Sequence, residues 1–176
     1  MPGRAKLVLL DAGAVFAALE HDAWGVLTTG YEVVVPSIVL QEVQFYYSRG
    51  TRRKIYVDTN EWIDAGQIRR YEASAAEVAE TITLINVPDG PEIHAGEAEA
   101  LTYLRLEVDP SSSEVAFVSA DGAAIQATAL LDLSHTAKSL ADVLRDIGYS
   151  KPLPAQYQRE FVERHVQRGF ERRLRK

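Results

Sequence analysis

Four short apolar runs stand out in the pattern of hydrophobic and polar positions. They are rich in Val, Ile and Leu, and they lie at residues 6–10, 32–36, 83–87 and 114–119. Continuous apolar runs of this length are typical of strands that are buried on both faces of a sheet. Because helical patterns separate the runs, the sequence predicts a parallel sheet in an α/β protein.

Three helical patterns lie between or after these runs, at residues 37–47, 94–108 and 139–149. The first begins at Ser37, a residue type that caps helix N-termini. The second is rich in good helix formers. The third has apolar residues at i, i+3, i+4 and i+7, and Gly148 follows as a stop signal.

The segment 49–72 does not fit this alternation of strands and helices. We interpret it as an excursion between a helix and the next strand of the sheet, with a short strand at 55–58. It also carries a cluster of cationic side chains near its start: Arg49, Arg52, Arg53 and Lys54.

The chain beyond residue 150 predicts one final helix. Val162, Val166, Phe170 and Leu174 fall on one stripe of that helix. Gly169 within it weakens the helix by ~1 kcal/mol. We therefore divide the chain into a domain at 1–150 and a basic helical extension at 151–176.

The composition is that of an ordinary globular protein, with 47% hydrophobic and 25% charged residues. The chain has no cysteine, which excludes disulfides, thiolate zinc sites and cysteine nucleophiles. No apolar stretch approaches the roughly 20 residues of a membrane span, and residues 1–10 do not form a signal peptide. We expect a cytoplasmic protein that does not interact with a membrane.

The net charge of −6 is unevenly distributed. Residues 151–176 carry eight Lys or Arg and three Glu, a net charge of +5, against −11 for residues 1–150. Two interpretations of the basic tail stay open: its arginines pair with the acidic body, or they contact the backbone of a nucleic acid.

Two aspartates lie where a parallel sheet places its ligands. Asp11 follows the first apolar run directly, and Asp121 comes just past the end of the fourth. Ligands of open parallel sheets bind outside the carboxyl ends of the strands, so the two acids are expected to face one crevice.

Two glutamates lie on the apolar stripes of their predicted helices. Glu42 shares its face with Ile38 and Val39, and Glu97 shares its face with Leu101 and other apolar residues. Glu99 is predicted to point away. Such violations of the apolar pattern are expected where a protein has its functional sites.

Each of the four acids also has an ordinary structural interpretation. Asp11 and Asp121 are suited to capping the helices that follow them. Glu42 is within reach of an ion pair with Arg49, and Glu97 lies in a first helical turn, where negative charge is favourable.

Four carboxylates in one crevice would repel one another unless a cation joined them. Mg²⁺ or Mn²⁺ suits a site made only of oxygen ligands. Such an ion can activate water and stabilise the charge on a phosphoryl group, so the acids together predict metal-dependent phosphodiester hydrolysis.

Four sequence pieces resemble the PIN-domain ribonucleases, and within them the VapC-like toxins of bacterial toxin–antitoxin pairs. The pieces are "LVLLDAGAVFAAL", "VVPSIVLQEV", "HAGEAEALTYL" and "VAFVSADGAAI", and they occur in the family's order. The resemblance implies a parallel sheet of four or five strands between helices, and cleavage of RNA with Mg²⁺ or Mn²⁺ as cofactor.

The resemblance also implies roles for individual residues. Asp11, Glu97 and Asp121 correspond to the cation ligands, and Glu42 completes the catalytic acidic cluster. Ser119 matches a hydroxyl residue that often precedes the last acid by two. We expect RNA to be contacted by four residues: Ser119, Arg49, Arg52 and Arg53. A cognate antitoxin and a homo-oligomer are the expected protein partners.

The main alternative is a catalytically inactive PIN-fold module that binds RNA or protein. The basic segments 49–54 and 159–176 would then supply the contacts, with stacking from Tyr46, Tyr47 and Trp62. Two other enzyme classes fit the first motif poorly. Methyltransferases need a loop with several spaced glycines, and this chain has only Gly13 there. Haloacid dehalogenases have a second Asp at the position of Gly13. The four scattered histidines are expected to be structural or surface residues.

Overall fold

The computed structural model describes residues 6–175. Residues 1–5, at the start of the segment examined for a signal peptide, and Lys176 of the basic tail lie outside this range. The described strands are β1 (Leu7–Leu10), β2 (Glu32–Pro36), β3 (Phe45–Tyr47), β4 (Lys54–Tyr56), β5 (Arg69–Tyr71) and β6 (Val115–Val118). The described helices are α1 (Ala12–Glu20), α2 (Trp24–Gly30), α3 (Ser37–Glu42), α4 (Thr59–Asp64), α5 (Ala75–Ile85), α6 (Ala95–Glu107), α7 (Gly122–Leu130), α8 (Leu140–Arg145) and α9 (Arg159–Arg173).

Four strands form one parallel sheet in the order β5-β2-β1-β6. In its centre Val8 of β1 is in register with Val33 of β2 and with Ala116 of β6. The predicted class, an α/β protein with a parallel sheet between helices and a C-terminal helix, is confirmed. The sheet brings the carboxyl ends of β2, β1 and β6 side by side.

Both faces of this sheet are buried, as the continuous apolar runs predict. Val8 and Leu10 point into a core formed with α1, α2, α3 and α8. Leu9 and Phe117 point into a second core with α5, α6 and α7. Because the strands are held on both sides, the residues directly after them have defined positions.

The strand predicted at 83–87 is wrong. Residues 75–85 form α5, which begins with a capping box in which Ser74 and Glu77 bond each other. A short apolar run is compatible with a buried helical segment as well as with a strand. Here the capping box at Ser74 stabilises the start of a helix that includes this run. The fourth strand of the sheet is instead β5, within the segment read as an excursion.

The predicted helix at 37–47 is too long. It ends at Glu42, and residues 45–47 form β3, which pairs antiparallel with β4 in a separate hairpin. We name residues 45–56 the basic hairpin. The strand predicted at 55–58 corresponds to β4 with shifted bounds, and the helix predicted at 139–149 is confirmed only over 140–145.

The final helix is confirmed, but its predicted apolar stripe is wrong toward the end. Val162 is buried, whereas Phe170 is 38% and Leu174 is 88% exposed. α9 lies on α7 instead through Gly169, where an added Cβ would stand 2.5 Å from the carbonyl oxygen of Gln126. None of the helices within residues 6–175 has both the length and the apolar character needed to cross a membrane.

Candidate functional site

Asp11 lies between the end of β1 and the start of α1. One of its carboxylate oxygens accepts a hydrogen bond from the backbone N–H of Ala14 at 2.7 Å, which caps α1. The other accepts a hydrogen bond from the hydroxyl of Ser119. Burial raises the pKa of Asp11 to about 6, although these hydrogen bonds act in the opposite direction. These hydrogen bonds hold the buried carboxylate in place.

Asp121 occupies the equivalent position after the neighbouring strand β6. Its side chain accepts a hydrogen bond from the backbone N–H of Ala123 at 2.6 Å and so caps α7. Its own backbone N–H donates to the hydroxyl oxygen of Ser119 at 2.9 Å. Ser119 is 2% exposed and joins the two aspartates from beneath.

Glu97 reaches the same place from the first turn of α6. It is 8% exposed, and its Oε2 accepts a hydrogen bond from the backbone N–H of His94 at 3.0 Å. Burial raises the pKa of Glu97 to about 8, and the negative charges of Asp121 and Asp11 contribute to the rise. The three carboxyl groups are therefore close enough to disfavour one another's ionisation.

Glu42 is placed differently from the sequence prediction. It is the last residue of α3 and is exposed, because α3 ends there instead of continuing to residue 47. Gly96 lets α6 approach this helix: an added Cβ would stand 3.0 Å from Val39 Cγ2 and 3.5 Å from Glu42 Oε1. The ion pair with Arg49 is absent from the described residues, since Arg49 bonds His21 instead, at 2.9 Å.

All four predicted acids line one open cavity of about 430 Å³ at the carboxyl ends of β2, β1 and β6. We name it the acidic cavity. Its lining residues are Asp11, Ala12, Gly13, Val39, Glu42, His94, Gly96, Glu97, Ala120 and Asp121. The cavity is wide enough for a hydrated cation together with part of a larger ligand.

The donor chemistry of the acidic cavity fits Mg²⁺ or Mn²⁺. Four carboxylates line it, and a divalent cation would remove the repulsion that contributes to the raised pKa of Glu97. Within residues 6–175, no three acidic or histidine side chains already stand at ligating positions. One oxygen each of Asp11, Asp121 and Glu97 is instead bonded to a backbone N–H.

Glu99 does not line the acidic cavity, which agrees with the prediction that it points away from the face of Glu97, but it is 2% exposed. It accepts hydrogen bonds from Ser37 Oγ and from the backbone N–H groups of Ile38 and Ala73, at 2.9 to 3.0 Å. These bonds fix the start of α3 against α6, and with it the position of Glu42. The burial of Glu99 could not be predicted from the apolar pattern, because α6 is buried on both faces along its first half.

His165 is close to the acidic cavity although it is 44 residues away from Asp121 in the chain. Its ring packs on Gly122, where an added Cβ would overlap it, and its Nδ1 lies 3.1 Å from Gln126 Nε2. Burial lowers the pKa of His165, and Arg168 and Arg164 lower it further. No local sequence signal gives this contact, which depends on how α9 docks. His94, another of the four histidines, lines the cavity itself.

The predicted RNA-contacting residues fall into two groups. Ser119 is buried beneath Asp11, where it bonds the two aspartates. The three arginines lie in the turn of the basic hairpin, and Arg52 and Arg53 are exposed there. The hairpin also exposes Tyr56, and Lys54 Nζ stands 3.8 Å above the ring of Phe45.

The chain matches no protein-family model, no curated protein and no solved structure.

Proposed function

We propose that the protein is an endoribonuclease that depends on Mg²⁺ or Mn²⁺. The observation that carries the proposal is the convergence of Asp11, Glu42, Glu97 and Asp121 on one cavity at the carboxyl ends of three parallel strands. The raised pKa values of Asp11 and Glu97 support it, since they reflect carboxyl groups that burial and neighbouring charges disfavour as anions.

In this proposal Asp11, Glu97 and Asp121 would hold the cation. When bound, a divalent cation supplies activation of a water molecule and stabilisation of the charge on a phosphoryl group. Ser119 and the N–H of Ala14 keep the carboxylate of Asp11 in one orientation. Glu42, exposed at the rim, would accept a proton from water at the open side of the cavity.

The basic hairpin supports RNA as the substrate. It begins at Phe45, three residues after Glu42 at the rim of the cavity. Tyr47 and Tyr56 are 54% and 75% exposed, and aromatic rings next to cations suit the bases and phosphates of a single strand. Arg52 and Arg53 add two exposed positive charges in its turn.

The resemblance extends the proposal to the toxin of a toxin–antitoxin pair. An antitoxin with a protruding Arg or Lys would fit the acidic cavity, because four carboxylates attract such a side chain. A homo-oligomer belongs to the same extension of the proposal.

A second candidate is an RNA-binding module without catalysis, which the exposed rings and cations of the basic hairpin favour. The two candidates differ in one assay. Fluorescent single-stranded RNA of mixed sequence is incubated with the protein, with Mn²⁺ or with a chelator, and the products are separated by size.

We expect cleavage with Mn²⁺ only, and a loss of at least 100-fold in rate in Asp11→Asn. The matched control is Asp64→Asn, an exposed carboxylate that does not line the cavity. Cleavage that survives in Asp11→Asn would contradict the proposed site. RNA that binds but stays intact under all conditions, while Mn²⁺ binds, would favour the non-catalytic module.

A further inference from the structure

A second cavity lies between α7 and α9, beside the acidic one. Its volume is about 200 Å³, and it is lined by Gln126, Arg168, Glu171, Arg172 and Arg175. We name it the arginine groove. Three guanidinium groups and only one carboxylate line it, so its charge is opposite to that of the acidic cavity.

The arginines of α9, together with Arg175 just after it, divide into two kinds. Arg159 and Arg173 form ion pairs with Asp142 and Asp132 of the body. Four others have no carboxylate within 4.0 Å among residues 6–175: Arg164, Arg168, Arg172 and Arg175. The interpretation that the tail pairs with the acidic body therefore holds for Arg159, Arg173 and Lys151, whose Nζ lies 3.6 Å from Asp22.

Three of the unpaired arginines, Arg164, Arg168 and Arg172, share one face of α9 at positions i, i+4 and i+8, and Arg175 follows two residues after the helix ends. Like charges at this spacing destabilise a helix by a few tenths of a kcal/mol per pair. A bound anion would remove this cost. The face therefore has the properties of a binding surface for a negatively charged chain.

Two buried polar atoms at the arginine groove have no partner. Arg172 Nη1 is a donor without an acceptor, and Gln126 Oε1 is an acceptor without a donor. Gln126 is 6% exposed, and its Nε2 is already bonded to His165. Buried groups of this kind are normally satisfied, so a ligand here should bring both an acceptor and a donor.

The packing of α9 on α7 fixes the distance between the two cavities. Gly169 allows the helices to meet at Gln126, which lies five residues after Asp121 and so about 7.5 Å further along the helix. The arginine groove therefore follows the acidic cavity along α7, so that one RNA strand can contact both.

We propose that the arginine groove binds the RNA backbone next to the cleaved bond: Arg168 and Arg172 hold a phosphate, and Gln126 Oε1 accepts a hydrogen bond from a neighbouring 2′-hydroxyl. The 2′-hydroxyl is the donor that DNA lacks, so the groove selects RNA. This inference rests on the proposed function, since it names the part of the substrate that lies beside the acidic cavity.

The test is binding without metal, which separates it from catalysis. Fluorescein-labelled U12 RNA is titrated with the protein in a chelator at 50 and 200 mM KCl, with anisotropy as the readout. Arg168→Gln/Arg172→Gln is compared with Arg70→Gln/Arg145→Gln. The control arginines are exposed, pair with carboxylates and lie outside the groove.

We expect the groove variant to bind U12 about tenfold more weakly at 50 mM KCl, with a salt dependence reduced by about 1 to 2 units in slope. The control should change less than twofold. Equal effects of the two variants would overturn the inference, because general charge alone would explain binding.

The sugar is tested with dU12 as the second probe. The wild type should bind U12 about fivefold more tightly than dU12, and Gln126→Met should lose this preference. Equal affinity of the wild type for both would overturn the role of the 2′-hydroxyl. Displacement of U12 by poly-glutamate at equal charge concentration would overturn RNA as the occupant and favour an acidic protein segment.

The outcome is independent of the acidic cavity. If Mn²⁺ does not bind, the proposed catalysis fails, while the binding of U12 still measures the arginine groove. If Mn²⁺ binds and the groove variant behaves like its control, the groove inference alone fails.

Discussion

The hydroxyl of Ser119 donates a hydrogen bond to Asp11, and its oxygen accepts one at 2.9 Å from the backbone N–H of Asp121. One buried side chain thus joins the two acids that follow the neighbouring parallel strands β1 and β6. The arrangement holds two like charges next to each other, which is costly unless a cation or a proton compensates. Because Ser119 bonds both aspartates, it has a positioning role that can be tested directly.

Replacing Ser119 by alanine should weaken metal binding. Asp11 would lose the hydroxyl donor of Ser119, its pKa would rise further, and its orientation would loosen. Groups that orient a ligand typically contribute 10- to 100-fold to metal affinity, so we expect a loss of about tenfold for Mn²⁺ at pH 7. Isothermal titration calorimetry measures it. Ser113→Ala, an exposed serine, is the control, and unchanged affinity in Ser119→Ala would contradict the positioning role.

Metal binding should be linked to proton release. With the pKa of Asp11 raised to about 6 and that of Glu97 to about 8, at least one carboxyl group is protonated near pH 7 without metal. Ligands must be deprotonated, so Mn²⁺ affinity should increase from pH 6 to pH 8. Titrations in buffers of different ionisation enthalpy count the released protons. Affinity that does not change over this range would exclude these two groups as ligands.

The same shift predicts a pH dependence of stability without metal. The pKa of Glu97 is higher in the folded state than its ordinary value of 4.5. Its contribution to the free energy of unfolding is therefore fully present below pH 4.5, and it is lost as the pH rises through about 8. The free energy of unfolding should therefore fall over this window. A shift of this size corresponds to at most about 5 kcal/mol, and partial solvent screening of the carboxyl group makes the effect smaller.

Urea unfolding in a chelator at pH 5 and pH 8 tests this point. Glu97→Gln cannot ionise, so its stability relative to the wild type should improve at the higher pH. Glu92→Gln, an exposed glutamate outside the cavity, should follow the wild type. Parallel pH profiles of the wild type and Glu97→Gln would contradict the raised pKa.

Gly169 is required by packing, even though glycine disfavours a helix. An added Cβ would stand 2.5 Å from the carbonyl oxygen of Gln126 and 2.8 Å from Ala129 Cβ. We expect Gly169→Ala to destabilise the protein by about 1 to 3 kcal/mol, because overpacking outweighs the gain in helix propensity. Thermal unfolding measures it. Gly25→Ala, which meets no atom within 4 Å, should leave the melting temperature unchanged or slightly raised.

The central strands of the fold were predictable because burial on both faces leaves continuous apolar runs. The edge strand β5 was not, since it reads "RRY" and Arg69 and Arg70 are exposed. The run at 83–87 suited a buried helix as well as a strand. Local pattern alone does not separate these two cases.

The candidate site was predictable to the extent that it follows the strand ends. Asp11 and Asp121 come directly after β1 and β6, and topology places them together. The burial of Glu99 could not be predicted, because α6 is buried on more than one side and its apolar pattern does not mark a single face. His165 depends on the docking of α9 on α7, a contact over more than 40 residues of chain that no local pattern encodes.

The central claim is that Asp11, Glu97 and Asp121 hold one cation in the acidic cavity, and calorimetric titration of Mn²⁺ tests it most directly, without any assumption about the RNA target. The wild type and the control Asp64→Asn should bind Mn²⁺ with equal affinity, while Asp11→Asn should lose at least tenfold. The same variant should keep its cooperative unfolding transition. A wild type that binds no Mn²⁺ at millimolar concentration, or an Asp11→Asn variant that binds as well as the wild type, would contradict the account.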